Sequence, residues 1–358
     1  MKIFQAIDNP YNAPNPYVYT LIDGLKVVDS SIEIGWGIDT IWTDDILNYD
    51  IVHIHWPSSL LYNNDGVVRQ ICDVEERLVF LKSKGIRIVA TCHNLEPHYC
   101  AIEEERKSYH VVYGLADMIF HLGEYSKNLF GEKYPNARNV MLPHHIYDTV
   151  YKDFKPQEES QARLGLRMNN KYILCFGAFR NIEEHSLVLQ LGAQFKRTNI
   201  YILAPSYDWI PKARWYSFNK QRFLKQRLKF KYHLIVTGTG GSRSVSDEEL
   251  PYYYAASDLC LIHRVKILNS GLLPMAMMMG KTVIGPDAGN VGCILRGLHN
   301  PVFDVDNLQS LGQIIKDTFK RGKEIGLRNQ EYAFKHWRTS DVSGMLYNYY
   351  MSLMESIA

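Results

Sequence analysis

Short unbroken runs of Val, Ile and Leu alternate along this chain with longer stretches in which apolar residues recur every three or four positions. The runs KIFQAI, DIVHIHW, IRIVATC, DMIFHLG and NVMLP lie in the first half. YILCFGA, NIYILAP, HLIVTG, DLCLIH and KTVIGP lie in the second. Continuous apolar runs, rather than strict alternation, predict strands covered on both faces. Helix-length segments such as VVRQICDVEERLVFLKSK and LQSLGQIIKDTFKRG separate them. Strand and helix in turn predict parallel, doubly wound α/β sheets.

The alternation pauses once, at TVYKDFKPQEESQARLG, which is polar, contains Pro156 and holds no strand-like run. That stretch reads as a linker, with YILCFGAFR starting a second sheet. The chain is expected to form a Rossmann-like domain over 1–150, a second over 151–325 and a helical tail over 326–358. Doubly wound sheets hold ligands beyond the C-terminal ends of their strands. Two such sheets facing a central cleft would hold one substrate each.

Composition adds to this picture. A chain of 358 residues, 46% apolar, has the length of two ordinary domains with full cores. The net charge of +2 hides an asymmetry. Residues 1–150 carry 12 Lys and Arg against 20 Asp and Glu, and the remainder carries 28 against 18. The second half is the better home for an anionic ligand. The six cysteines form no CxxC pair and several sit in strand patterns, so they read as reduced core thiols of a cytosolic protein. MKIFQAID reads as a first strand rather than a signal peptide. No run approaches the ~20 apolar residues of a membrane span.

Candidate chemistry in the first half lies at two strand ends. DIVHIHWPSS brings His53, His55 and Trp56 to a strand tip, and period-two geometry sends His53 and His55 to one face. The alternative reading makes one of them a satisfied core histidine. TCHNLEPHY ends a strand at His93 and continues into a polar loop with Asn94, Glu96 and His98. His93 is a candidate sugar ligand and Glu96 or His98 a candidate base. No histidine–carboxylate spacing matches a metal site, so none is expected.

In the second half, GAFRN joins Gly177, where backbone can approach a ligand, to Arg180, whose guanidinium suits a diphosphate. Gly238 belongs to VTGTGGS after a later strand, and no GxGxxG pattern supports a dinucleotide site. ILNSGLLPMAMMMGKTVIGPDAGN places Asn269, Ser270 and Gly271 before an apolar helix. Asn or Ser there is a good N-cap, and the free N–H groups of a helix start suit phosphate. The following strand leads to Asp287.

Together, NPYNAPNPYVYTLIDGL, VHIHWP, TCHNLEPH, GAFR, DEELPYYYAASDLCLI, LNSG…MMMGKTVIGPDAGNV and FKHWRTSDVSGMLYNYY resemble family-four-type glycosyltransferases of the GT-B fold, over nearly the whole chain. The resemblance implies a nucleotide-diphosphate sugar as donor substrate, bound mainly by the second domain without a metal. It implies transfer with retention, an acceptor held by the first domain, and a C-terminal helix crossing back to that domain. By position, His93 matches the family's donor-sugar histidine, Arg180 its diphosphate arginine, and Ser270 and Gly271 its phosphate-binding helix start. His55, Trp56 and the Tyr11–Asn12 loop would shape the acceptor side.

This chain departs from the family at defined places. The family's usual Lys three residues after the Arg is Glu183 here, and its usual pair of Glu falls on Ile267 and Met275. The glycine-rich loop of its first domain is replaced by NPYNAPNP. The expected activity is transfer of a hexose-type sugar to a glycan or lipid-linked acceptor. A nucleotide-sugar epimerase of the same fold and a non-catalytic partner subunit are the alternatives. Residues 211–233 carry eight Lys and Arg, no acid and interleaved aromatics, which suits an anionic membrane surface. No nucleic-acid motif accompanies them. The expected location is the cytoplasm, peripheral on a membrane.

Overall fold

The computed structural model describes residues 1–62, 68–97, 102–208, 218–237 and 245–355, and for 218–221 only the backbone. The chain forms two compact units, Met1–Val150 with Trp337–Ala358, and Tyr151–His336.

Unit 1 runs β1 (Lys2–Gln5), α1 (Tyr17–Val28), β2 (Glu33–Trp36), β3 (Ile51–Ile54), α2 (Ile71–Ser83), β4 (Arg87–Cys92), α3 (Glu103–Leu115), β5 (Met118–His121), α4 (Glu124–Lys133) and β6 (Arg138–Met141). Unit 2 continues with α5 (Gln157–Arg163), β7 (Lys171–Leu174), α6 (Ile182–Gln194), β8 (Ile200–Leu203), α7 (Phe218–Tyr232), β9 (Leu234–Ile235) and α8 (Leu250–Ala256). It ends with β10 (Leu259–Leu261), α9 (Leu272–Met278), β11 (Thr282–Pro286), α10 (Gly289–Gly297), β12 (Val302–Phe303) and α11 (Leu311–His336). The last helix, α12 (Thr339–Glu355), belongs to unit 1.

Each unit holds a six-stranded sheet, ordered β2-β1-β3-β4-β5-β6 and β12-β11-β10-β7-β8-β9. Every pairing within them is parallel. The central strands β3, β4, β5 and β7 are buried almost throughout, as their unbroken apolar runs require. The strand order reverses between β1 and β3 in unit 1 and between β7 and β10 in unit 2. Crossover helices leave those strand pairs in opposite directions, which opens a crevice at their C-terminal ends.

Three elements differ from the sequence expectation. The polar stretch around Pro156 is not a bare linker: it contains α5. Glu158 and Glu159 in its first turn and Arg163 in its last suit the helix dipole. Two edge strands, β2 and β12, went unpredicted. β2 is half-exposed and β12 has two residues, so neither carries a long apolar run.

The C-terminal helix α12 packs on α1. The Thr339 backbone N–H donates to Asp148 Oδ1 at 3.1 Å, and the Ile146 N–H donates to the Trp337 carbonyl at 2.7 Å. Further along, the buried Tyr350 hydroxyl meets His53 Nδ1 at 2.6 Å. The helix therefore completes the core beneath β3. The unit 2 core is built from Ile173, Leu187, Leu191, Ile202, Leu234 and Ile284 around its sheet. Cys92, Cys175 and Cys260 are buried thiols, but Cys72 is exposed and Cys293 half-exposed, so these two are not core residues. Among the described residues, no helix is long and apolar enough to cross a membrane.

Candidate functional site

At the unit 1 switch point, the tips of β1, β3 and β4 bring Gln5, His55 and His93 into one chain. Gln5 Oε1 lies 2.9 Å from His55 Nε2, and His55 Nδ1 lies 3.3 Å from His93 Nε2. With an oxygen at the Gln5 end, His55 holds its proton on Nε2 and accepts at Nδ1 from His93 Nε2–H. Trp56 stacks on the His93 ring (5.0 Å, 15°), and Tyr17 meets its edge (5.0 Å, 84°). His55 is 1% exposed, and burial holds it well below the ordinary imidazole range, so it is neutral at physiological pH.

His53 is a core residue. It lies 2.7 Å from Thr91 Oγ1 and 2.6 Å from the Tyr350 hydroxyl, and burial depresses its pKa to about 3. The expectation that it shares a face with His55 holds, since the two rings lie 4.2 Å apart.

Sequence reasoning missed the rest of this cluster. Tyr17 on α1 packs against His55, His93, His144 and His145. His145 Nε2 meets Thr20 Oγ1 at 2.7 Å, and His144 Nδ1 donates to the His145 carbonyl at 2.7 Å. Both histidines are kept neutral by desolvation, His144 with a pKa of about 4. The only sequence signal was the pair itself, in LPHHIYD, placed just after a strand.

The other unit 1 candidates are spread around this tip. The Asn94 carbonyl accepts from the Tyr113 hydroxyl at 2.9 Å, which ties the loop after β4 to α3. Glu96 pairs with Arg106 at 3.3 Å and is largely exposed. Tyr11 donates to Asp23 at 2.7 Å, and burial together with that carboxylate raises its pKa to about 12. Asn12 and Trp56 line a cavity of about 530 Å³ with Asp8, Asn9, Ser59 and Tyr62. His98 lies outside the described residues.

At the unit 2 switch point, Gly177 follows β7 with φ +101°, a conformation that strains any side-chain-bearing residue. A Cβ there would stand 3.7 Å from Arg264 Nη2, so the guanidinium from the β10 tip lies over the Gly177 backbone. Phe179 stacks on His263 (4.2 Å, 22°). Burial drives the His263 pKa down to about 3, and the nearby charges of Arg264 and Arg180 push the same way. The loops after β7 and β10 thus each carry an arginine, Arg180 and Arg264, whose charge reaches one buried neutral imidazole. Arg264 was absent from the sequence candidates, although its place directly after the apolar run DLCLIH was a signal.

The turn between Gly177 and α6 is capped from within. Asn181 Oδ1 accepts from the Glu184 N–H at 2.9 Å, and Glu184 Oε2 accepts from the Arg180 N–H at 2.7 Å. Glu184 is buried, while Glu183 is exposed to solvent.

The loop before α9 corrects one expectation. The N-cap is Gly271, with no side-chain cap, rather than Asn269 or Ser270. Asn269 instead accepts from Asn290 Nδ2 at 2.8 Å, and the Leu268 carbonyl accepts from the Asn290 and Val291 N–H groups. Ser270 and Gly271 precede the first turn of α9, and the Ser270 carbonyl accepts from the Leu273 N–H at 3.1 Å. Asp287 pairs with Arg296 in the last turn of α10. Ile267 and Met275 are buried apolar residues. Gly238 lies outside the described residues. Among the described residues, no group of three or more His, Cys, Asp or Glu is placed to hold a metal ion.

No protein-family model and no curated protein sequence matches the chain. Solved structures do. Sucrose-phosphate synthase from Thermosynechococcus elongatus superimposes with a TM-score of 0.73 at 12% identity, covering 99% of both chains. HepE from Anabaena, solved with UDP-glucose, gives 0.68 at 14% identity, covering 98% of this chain and 100% of its own. UDP-GlcNAc 2-epimerase from Neisseria meningitidis, bound to UDP-GlcNAc, gives 0.60 at 12% identity, covering 98% and 100%. These likenesses show the fold: the chain has the two-domain α/β architecture of GT-B proteins.

Proposed function

We propose that this chain is a glycosyltransferase that moves a hexose-type sugar from a nucleoside-diphosphate donor to a glycan or lipid-linked oligosaccharide acceptor. The observation that carries the reading is the Arg264 guanidinium over the Gly177 turn, with Arg180 three residues further along the same loop, at the crevice where a doubly wound sheet takes its ligand. Two guanidiniums neutralise a diphosphate and stabilise it further as it leaves. The amides of Ser270 and Gly271 add donors of the same kind. The acceptor oxygen replaces the diphosphate on the anomeric carbon with retention, and the acceptor's proton departs with the diphosphate.

His93 is the donor-sugar residue of this reading, held by His55 and, through it, by Gln5. Trp56 and Asn12 border the acceptor cavity. Arg264 supplies the second cation that the sequence lacks at Glu183, and no metal takes part. The enzyme serves polysaccharide assembly in the cytoplasm, peripheral on a membrane. Neighbours of the same fold crystallised with UDP-glucose and with UDP-GlcNAc support a nucleotide sugar as ligand.

The likeness to UDP-GlcNAc 2-epimerases favours a second reading, in which the bound nucleotide sugar is isomerised without an acceptor. Incubation with a panel of nucleotide sugars, with and without oligosaccharide acceptors, separates the two. Acceptor-dependent release of nucleoside diphosphate with a new glycoside supports transfer. An isomerised nucleotide sugar formed without acceptor supports epimerisation. Binding without either product identifies a partner subunit that kept the fold.

A further inference from the structure

Helix α7 has two faces. Leu224, Leu228 and Tyr232 turn inward and pack on the unit 2 core. The opposite face leaves Phe223 64% and Phe230 77% exposed. Seven residues apart, the two rings fall on one stripe, because two helical turns return a side chain to nearly the same direction. At 100° per residue, Arg227 and Lys231 flank this stripe on one side, and Arg222 and Lys229 on the other. All four are exposed. The sequence holds no Asp or Glu between Asp208 and Asp247.

A solvated basic helix accounts for the cations but not for two large aromatic rings held in water on one line. Binding of single-stranded nucleic acid uses a charged groove that tracks the strand. Here the rings stand on the convex outer face of a helix. Aromatic residues on a crest, with long cationic side chains on both flanks, match a planar interface. The rings enter the acyl boundary, and the Lys and Arg stems lie along it with their charges among headgroups.

We infer that the outer face of α7 is a docking surface for a phospholipid bilayer carrying anionic headgroups. The inference rests on the glycosyltransferase reading only for its use, which is to hold the enzyme beside a lipid-linked acceptor. The docking itself requires no sugar transfer.

The test is co-sedimentation of the intact protein with phosphatidylcholine vesicles and with vesicles of phosphatidylcholine and phosphatidylglycerol, at low and high salt. The wild type partitions onto the anionic vesicles and not the neutral ones, and high salt releases it. The variant F223S/F230S weakens that partition about tenfold or more, since each ring loses apolar burial. The variant R227Q/K229Q/K231Q weakens it roughly a hundredfold, at about fivefold for each cation lost. Every substituted side chain is exposed, so the melting temperatures stay at the wild-type value and the variants remain interpretable.

Equal partition onto neutral and anionic vesicles overturns the inference. So does anionic binding that ignores the loss of both phenylalanines. Tight binding of a single-stranded oligonucleotide without vesicle partition overturns it too, and assigns the face to nucleic acid. None of these results touches nucleotide-sugar binding, so the proposed sugar transfer stands or falls separately, and only the peripheral membrane placement falls with the inference.

Discussion

His55 Nδ1 stands 3.3 Å from His93 Nε2, and Gln5 closes the far end of the relay at 2.9 Å from His55 Nε2. The catalytic candidate His93 therefore takes its tautomer from a glutamine on another strand. The Gln5 side chain is buried, as is His55, so water cannot replace the bond. Gln5→Leu strands the His55 N–H and is expected to cost roughly 1–3 kcal/mol of stability. Urea denaturation of the two proteins measures it. A difference within error of zero means that the relay is not what holds His55.

Unit 1 buries several imidazoles as neutral groups, and this sets an acid limit. Desolvation lowers His53 to about 3 and His144 to about 4, with His55 and His145 also held well below the ordinary range. In the unfolded chain these groups titrate near ~6.5. Between the two values the unfolded state binds more protons, so acid favours unfolding. Their full contribution is present above the unfolded value and is lost as pH falls toward the folded ones. The free energy of unfolding should be level above about pH 7.5 and then fall more steeply than the one-proton slope of about 1.4 kcal/mol per pH unit between roughly pH 6 and 4.5. Denaturant titrations at several pH values give the slope. A profile flat to pH 5 contradicts neutral burial of the cluster.

Gly289 locks the loop before α9 against α10. Its φ is +57°, and a Cβ would stand 2.5 Å from the Ile267 carbonyl oxygen and 2.9 Å from Leu268 Cα. Both contacts are backbone, which cannot swing aside. Gly289→Ala is expected to destabilise by about 2 kcal/mol or more and to shift Ser270 and Gly271. Gly297, eight residues on, has open space around its Cβ position. Gly297→Ala should be neutral or slightly stabilising. Equal melting temperatures for the two variants would show that the loop tolerates displacement.

The buried strands were legible because each is a continuous apolar run between polar segments, from KIFQ at β1 to TVIGP at β11. Edge strands β2 and β12 escaped because half-exposed or very short strands carry little of that signal. Helix α5 hid in a polar stretch because its burial comes from packing on α8, and its sequence has little apolar periodicity. In the site, His55, Trp56, His93, Gly177 and Arg180 could be named because each follows a recognisable strand. Arg264 could not be joined to Gly177 beforehand. Their meeting depends on β10 lying beside β7, a pairing set by strand order and not by distance along the chain. The convergence of α1 and the segment after β6 on His93, through Tyr17 and His144, was hidden for the same reason.

The most direct test of the account is calorimetric titration of the intact protein with a nucleoside diphosphate and with its nucleoside, before and after Arg180→Ala and Arg264→Ala. The base is chosen as the diphosphate that most raises the melting temperature. A charge-assisted contact is worth roughly 1.5–3 kcal/mol, or about ten- to hundredfold in affinity. Each substitution should weaken the diphosphate by that factor and leave the nucleoside unchanged, and the two together should lose more than either alone. If both variants bind the diphosphate as tightly as the wild type, or lose diphosphate and nucleoside alike, the phosphates do not sit at the tips of β7 and β10, and the donor-site reading is wrong.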